Sequence, residues 1–328
     1  MSDLPKSVKI VEVGPRDGLQ IEPKILSVDE RVSMIDNLLA CGFREIEVGS
    51  FVNPKAVPQM ANTDKVLEKL GPRPGVAYRV VLLNPRGLRD ALATGRADVM
   101  GQISITASET FVKRNTNRTI DQTFAEFPQW VELFGNAGIE TNMIAVMAAF
   151  GCNFEGYLPL KKLVDLIDRA HETLHDNGAE MKHVTLADTM GWANPLQVKR
   201  TVSAVWDRWP DVAIKLHLHD TRGAAMANAV AAMELGVAEF DSAVGGLGGC
   251  PFAGHKGAAG NICTEDLIYV CEEMGISTGI DLDRLREASL RVEQLVGHPL
   301  AGKVMRGGTL NAFKNNQENR IQVTAPTV

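Results

Sequence analysis

Several features that mark whole classes of protein are scarce or missing in this chain of 328 residues. No apolar run reaches the length of about 18 residues that a membrane span needs. The five cysteines include no CxxC pair, which argues against both a disulfide framework and a structural zinc site. The polar N-terminal segment has neither the apolar stretch of a signal peptide nor the arginines of a transit peptide. We therefore expect a cytoplasmic protein with no membrane partner.

An excess of positive charge is also missing. The chain has 34 Lys and Arg against 40 Asp and Glu, a net charge of −6 and a pI of about 5.7. This balance argues against nucleic acid as a partner. Aromatic residues make up only 5%, but apolar residues reach 45% and charged residues 23%. This composition is typical of a globular protein with a large core, and it excludes a mainly disordered chain.

Short β-rich segments alternate with segments of helical periodicity along most of the chain. The alternation predicts a parallel sheet, because each helix returns the chain to the same end of the sheet. No GxGxxG motif follows the first strand, which disfavours an open doubly wound sheet. Eight strands in about 250 residues favour a (β/α)8 TIM barrel. They are predicted at 8–13, 43–48, 76–83, 98–105, 139–147, 182–187, 212–218 and 237–243.

The alternating pattern ends near residue 262 and is followed by helical segments at 264–274 and 282–296. No linker rich in proline, glycine and serine divides the chain. We expect a catalytic barrel domain over 1–275 and a C-terminal helical extension with a polar tail over 276–328. Earlier helices are predicted at 28–41, 122–136, 159–177, 195–208 and 223–235.

Polar residues suited to chemistry follow most of the predicted strands. In a TIM barrel these positions lie together on the C-terminal rim, where active sites are found. The set comprises Arg16, Asp17, Glu47, Asn84, Ser108, Glu109, Cys152, Asp188, His217, His219, Cys250 and Asn261.

The pair His217 and His219 stands at the end of the seventh strand. Two residues apart in a strand, they share a face and lie about 6.6 Å apart along it. Two buried core histidines would give the same pattern, and an isolated HxH supports both interpretations equally. Asp17 lies at the end of the first strand, adjacent to the eighth in a closed barrel, and Asn261 offers an amide oxygen. Two nitrogens and two oxygens form a donor set for an open divalent metal site. The oxygen ligands favour Mg²⁺ or Mn²⁺, whereas the imidazoles favour Mn²⁺, Co²⁺ or Zn²⁺.

Charged and reactive groups surround this candidate site. Arg16 is either a salt-bridge partner of the first loop or a clamp for a developing oxyanion, and Glu47 is its candidate partner. The segment 245–260 has seven glycines and reads as a lid that carries Cys250 as an accessible thiol. The basic segment 113–118 is either a solvated loop or a site for a nucleotide phosphate. Cys41, Cys263 and Cys271 fit packing positions, whereas the environment of Cys152 stays open.

These segments together resemble the 3-hydroxy-3-methylglutaryl-CoA (HMG-CoA) lyase family of metal-dependent TIM-barrel lyases. The resemblance covers roughly residues 8–300. The stretch GGLGGCPFA with a downstream GN is specific to the lyase branch, whereas RDG and HxHD mark only the superfamily. The matching stretches are EVGPRDGLQ (12–20), IEVGSFVNPKAVPQM (46–60), ITASETFVKRNTN (105–117), FGCNFEG (150–156), LADTMGWANP (186–195), HLHDTRG (217–223) and GGLGGCPFA…GAAGNICTEDL (245–267).

The resemblance implies a function and a role for each matching residue. Asp17, His217, His219 and Asn261 would bind Mg²⁺ or Mn²⁺, and Arg16 would stabilise the enolate of the leaving acetyl-CoA. Cys250 would transfer a proton, and Glu47, Asp188, His217 and Glu265 would support catalysis. The reaction would be retro-aldol-type (retro-Claisen) cleavage of an acyl-CoA thioester, here HMG-CoA to acetyl-CoA and acetoacetate, as in leucine degradation. The family also implies a homodimer or a higher homo-oligomer.

Three departures from the family pattern lie near the expected barrel mouth. The Cys250–Asn261 segment is about two residues longer and includes His255 and Lys256; Arg222 stands where a tyrosine is usual; and Ile21-Glu22-Pro23 replaces the usual Asn-Glu-Lys. Because of these departures, a related substrate of the citramalyl-CoA type is an alternative to HMG-CoA. Three further alternatives are a Claisen-condensing synthase of the isopropylmalate or homocitrate type, a ketoacid aldolase and a non-catalytic barrel. About 65 residues follow Asn261, too few for the usual regulatory region of such a synthase.

Overall fold

The structure is a computed structural model that describes residues 4–249, 259–311 and 313–314. Its centre is a sheet of eight parallel strands, each within a few residues of its predicted position. The TIM-barrel fold predicted from the sequence is confirmed. The strands are β1 Lys9–Glu12, β2 Glu45–Ser50, β3 Ala77–Val81, β4 Gly101–Thr106, β5 Thr141–Met147, β6 His183–Asp188, β7 Ala213–Leu218 and β8 Glu239–Ser242.

The strand order is β3-β2-β1-β8-β7-β6-β5-β4. The first and last strands pair directly, with Lys9 opposite Glu239 and Glu12 opposite Ser242. The two end strands of this order, β3 and β4, share no strand ladder, and a backbone hydrogen bond from Asp98 N to Tyr78 O (2.9 Å) joins the chain near their bases. The barrel therefore has one open seam, between β3 and β4.

Helices surround the sheet, and local sequence signals set their ends. Ser27 and Glu30 form a capping box at the first helix, in which each side chain accepts a hydrogen bond from the other residue's backbone amide. Asn194 caps the helix that Pro195 opens, as the sequence indicated. Helices in the described residues are α1 Val28–Ala40, α2 Thr63–Leu70, α3 Pro85–Ala93, α4 Glu109–Thr116, α5 Ile120–Ala125, α6 Phe127–Asn136, α7 Leu160–Asp176, α8 Pro195–Arg208, α9 Ala225–Met233, α10 Thr264–Glu273, α11 Leu282–Val296 and α12 Val304–Gly307.

Two local expectations were wrong. The segment 122–136, predicted as one helix, is divided between α5 and α6 because Pro128 in the first turn of α6 cannot continue a helix from before it. Of the two interpretations of the basic segment 113–118, the loop is wrong because the segment is helical through Thr116, and the phosphate site stays a prediction. Ser108 caps α4, and Asn117 ends it in the left-handed conformation at φ 58°.

The segment after α10 packs back onto the start of the chain. Ser277 donates a backbone hydrogen bond to Lys6 and accepts one from Val8, and Asp281 N donates to Cys41 O at 2.7 Å. These bonds tie the C-terminal helices to β1 and α1. The domain boundary at 275 stays a prediction. None of the described helices has the length and apolar character of a membrane span.

Candidate metal centre

The first loop positions two charged side chains at the rim of the barrel. After β1 the chain makes a tight turn over Gly14–Gly18, in which the amides of Arg16, Asp17 and Gly18 all donate to Val13 O. This turn replaces the continuation of the strand and directs consecutive side chains into the barrel mouth. Asp17 is buried, and its Oδ1 accepts hydrogen bonds from Arg16 (2.5 Å) and Gln20 (3.2 Å).

Asp17, His217 and His219 converge on one point. Each offers a ligand atom that lies within 4.8 Å of the other two. The Nε2 atoms of the two histidines are 3.1 Å apart, and His219 Nε2 lies 4.0 Å from Asp17 Oδ2. Alternation along β7 places both imidazoles on the inner face, so the structure favours a shared site over two unrelated core histidines.

Asn261 completes the cluster. Its Nδ2 donates to Asp17 Oδ2 at 2.7 Å and to Leu247 O at 3.0 Å. Its Oδ1 is buried and has no hydrogen-bond partner among the described residues. A buried, unpaired amide oxygen beside two imidazoles and a carboxylate calls for a ligand. This donor set fits a divalent cation such as Mg²⁺ or Mn²⁺.

The electrostatics of the cluster also fit a cation. Burial by itself raises the pKa of Asp17, but the charges of Arg16 and the histidines hold that pKa well below its usual range. Burial and the adjacent charge of His217 lower the pKa of His219 to about 4. The pKa of His217 is raised instead, because hydrogen bonding to Asp241 and the charge of Asp17 outweigh its burial. A low pKa keeps the imidazole of His219 neutral and able to donate its lone pair to a cation.

Arg16 and Glu47 form a rigid pair beside the cluster. Glu47, in β2, accepts from Arg16 Nε at 2.7 Å and lies 2.6 Å from its second terminal nitrogen. Burial by itself lowers the pKa of Arg16, but Glu47 and Asp17 keep its guanidinium charged. Because two acids fix this arginine, its remaining N–H groups point in a fixed direction. Stabilisation of a developing oxyanion requires donors that are oriented in this way.

Sequence reasoning missed the groups that support the site from below. Asp241 in β8 lies 3.2 Å from His217 Nδ1 and 3.0 Å from Lys215 Nζ, and all three side chains face the barrel interior. A carboxylate on the second ring nitrogen orients a metal-binding histidine. The available signal was a charged residue inside a strand predicted to be buried. The same signal marks Glu12 in β1. Its carboxylate accepts hydrogen bonds from the backbone amides of Gly14 (2.7 Å) and Val244 (3.0 Å).

Two residues predicted to support catalysis bind backbone amides at the rim. Asp188 accepts from Trp192 N (2.7 Å) and Ala193 N (3.1 Å), and burial raises its pKa to about 6. It ends β6, the strand next to β7, which contains His217 and is followed directly by His219. Glu265 accepts from Gly245 N at 3.0 Å, and burial raises its pKa. Its hydrogen bonds reach the turn that leads into the glycine-rich segment, not the ligand cluster.

Cys250 lies outside the described residues, so its role in proton transfer stays a prediction. The described ends of its segment meet beside the ligands: a side-chain carbon on Gly248 would stand 2.7 Å from Asn261 Nδ2. Cys41, Cys263 and Cys271 are buried, as their predicted packing roles require. Cys152 is buried too, and its Sγ lies 3.3 Å from Ser108 Oγ.

The fold and this cluster define the class of the protein: a (β/α)8-barrel enzyme with a donor set for a divalent cation at its C-terminal rim. The chain belongs to the HMGL-like family, whose model matches residues 7–292. It is accordingly a lyase.

Individual relatives agree with this family. The chain is 40% identical over 304 residues to the mitochondrial hydroxymethylglutaryl-CoA lyase of Homo sapiens, covering 93% of this chain and 90% of that one. It is 39% identical to the (R)-citramalyl-CoA lyase of Chloroflexus aurantiacus, covering 92% and 95%. A solved HMG-CoA lyase from Acinetobacter baumannii, in complex with coenzyme A and 3-methylmalate, is 38% identical with a TM-score of 0.83, covering 95% and 98%.

Proposed function

We propose that the protein cleaves HMG-CoA to acetyl-CoA and acetoacetate with a divalent metal, Mg²⁺ or Mn²⁺. The observation that carries the proposal is the convergence of Asp17, His217, His219 and Asn261 directly beside the Arg16–Glu47 pair. When bound, the cation supplies Lewis acidity for the tertiary alcohol of the substrate. The remaining steps belong to side chains of this chain.

Arg16 has the central role in the proposed cleavage. Its guanidinium binds the thioester oxygen, on which negative charge develops as the bond between C2 and C3 breaks. Glu47 and Asp17 keep that guanidinium oriented, so little reorganisation is needed during the reaction. Asp188, with a pKa near 6, is suited to accept the hydroxyl proton, and Cys250 would return a proton to C2.

The test of this function is a direct assay. Purified protein loaded with Mn²⁺ is incubated with HMG-CoA, and acetoacetate and acetyl-CoA are measured. Equimolar formation of both products, lost on treatment with EDTA and restored by Mn²⁺, is expected. An α-keto acid and acetyl-CoA should give no condensation product. Metal-loaded, folded protein that leaves HMG-CoA uncleaved contradicts the proposal.

A citramalyl-CoA type of substrate is the second candidate, and Arg222 is the observation that favours it. Its side chain is exposed at the rim after β7, and one terminal nitrogen donates to Met190 O and Gly191 O, each at 2.9 Å. The other terminal nitrogen has no partner among the described residues, and it is suited to bind a carboxylate.

Replacing this arginine separates the two substrates. In R222Y, kcat/KM should fall on the order of tenfold for the thioester whose carboxylate contacts Arg222 and change little for the other. Assaying acetoacetate from HMG-CoA and pyruvate from citramalyl-CoA identifies which one that is. Equal effects on both would exclude selection by Arg222. The cytoplasmic location and the homo-oligomeric state stay predictions.

A further inference from the structure

A cavity of about 160 Å³ lies at the open seam of the barrel. Both end strands contribute to it, with Val81 on β3 and Ser104 on β4, and helices α4 to α6 close its outer side. Ser104 is exposed although it lies in the middle of a barrel strand. The space exists because β3 and β4 form no ladder there.

The cavity adjoins the candidate active site at one residue. Glu47, which holds the guanidinium of Arg16 at 2.7 Å, is one of its lining residues. From Glu47 the cavity extends past β3 and β4 toward Phe124 and Trp130. A group attached to the reacting carbon of a substrate can therefore enter it without leaving the site.

Most of the residues that line the cavity are apolar, which favours an apolar group. Ile103, Ile105, Phe111, Phe124 and Phe134 line the cavity and are all buried. The charged lining residues are paired, Arg118 with Glu126 at 2.7 Å and Glu47 with Arg16. Uncharged polar residues also line the cavity, among them Thr106 and Thr123. A cavity of about 150 Å³ with apolar walls accommodates a molecule the size of benzene. This space therefore suits a hydrocarbon chain of about five or six carbons.

We propose that the enzyme also cleaves HMG-CoA homologues in which an alkyl chain of about five carbons replaces the 3-methyl group. The proposal rests on the proposed function, because the cavity extends that same site. The bond between C2 and C3 breaks, the hydroxyl proton is lost, C3 becomes a ketone and C2 gains a proton. The products are acetyl-CoA and a 3-oxo acid that keeps the alkyl chain.

The experiment compares two thioesters on the wild-type, Mn²⁺-loaded enzyme. HMG-CoA carries a methyl group on C3, and its 3-pentyl homologue carries the chain that the cavity accommodates. We expect kcat/KM for the pentyl thioester to lie within about tenfold of the value for HMG-CoA. Without the cavity the longer chain would clash with the barrel wall and the pentyl thioester would not be cleaved.

Filling the cavity tests its position. S104F places an aromatic ring in the space and should lower kcat/KM for the pentyl thioester by on the order of 10- to 100-fold. Cleavage of HMG-CoA should change less than about twofold, because Ser104 is not part of the catalytic cluster. S33F, at an exposed position of α1, is the matched control and should affect neither substrate. V81F fills the same space from β3, in case S104F does not fold.

Each result decides a different point. Cleavage of both thioesters, with selective loss of the pentyl substrate in S104F or V81F, supports the proposal. Cleavage of HMG-CoA alone overturns the proposal and leaves the proposed function in place. An equal loss for both substrates in the folded variants places the alkyl chain elsewhere and also overturns it. Failure to cleave either thioester overturns the proposed function together with its extension.

Discussion

Individual residues of the site depend on partners in other strands. His217 is oriented by Asp241, which Lys215 also contacts, and all three belong to the adjacent strands β7 and β8. A metal-binding imidazole needs its second nitrogen fixed, since that bond sets both the tautomer and the ring orientation. If His217 binds the proposed cation, Asp241 would act on that cation through the imidazole and not by direct contact.

D241N should weaken metal binding. The amide oxygen accepts a weaker hydrogen bond from His217, and Lys215 loses its partner charge, so the Mn²⁺ dissociation constant should rise about 10- to 100-fold. Isothermal titration calorimetry measures this directly. E239Q, in the same strand, is the control and should bind Mn²⁺ like the wild type. Unchanged affinity in D241N would show that His217 needs no second partner.

Glu12 should make the stability of the protein depend on pH. Burial raises its pKa to about 8 from an ordinary 4.5, so the folded state keeps a proton that the unfolded state releases. The free energy of unfolding therefore falls as pH rises from about 5 to 8, by up to about 1.4 kcal/mol per unit from this group. In E12Q, urea denaturation across this range should show a smaller slope, with the largest gain in stability near pH 8. An identical slope in both proteins would contradict this assignment.

The strands and helices were largely predictable from the sequence, whereas the contacts between individual side chains were not. All eight strands and the long helices α1, α7, α8 and α11 follow from periodicity and caps. The short helices α2, α3 and α4 span only eight or nine residues each and were not predicted, because so few turns give a weak pattern. The ligand cluster followed from the ends of β1 and β7. Asp241 and Glu12 did not, because their partners are set by the register between strands, which periodicity does not contain.

The glycine-rich element after β8 depends on close packing at its base. Gly248 has a φ of +95°, and a side-chain carbon there would lie 2.7 Å from Asn261 Nδ2. Gly236 has a similar φ of +99° and open space around it. Both alanine variants should lose on the order of 1 kcal/mol of stability through backbone strain. Only G248A should also displace Asn261 and weaken Mn²⁺ binding, by about tenfold or more in the same titration. Equal Mn²⁺ affinities would disprove this role of Gly248.

At the scale of the whole molecule, the cation would tie together distant parts of the chain. A ligand that binds only the folded state stabilises it by about 2.7 kcal/mol at a hundred times its dissociation constant. Mn²⁺ should therefore raise the melting temperature measured by differential scanning fluorimetry, and EDTA should reverse the change. D17N replaces the one carboxylate among the proposed ligands by a neutral amide, a weaker donor, and should respond much less. A Mn²⁺ effect of equal size in D17N would place the cation elsewhere.

The pairing of β1 with β8 has a consequence for synthesis on the ribosome. Asp17 and Asn261, which meet at 2.7 Å, are 244 residues apart in the chain. At translation rates of 5–20 residues per second, roughly 12 to 50 s separate the emergence of one from that of the other. During that interval β1 has no β8 to join, and its apolar face needs shelter from aggregation. The four proposed ligands can therefore come together only after Asn261 has left the ribosome.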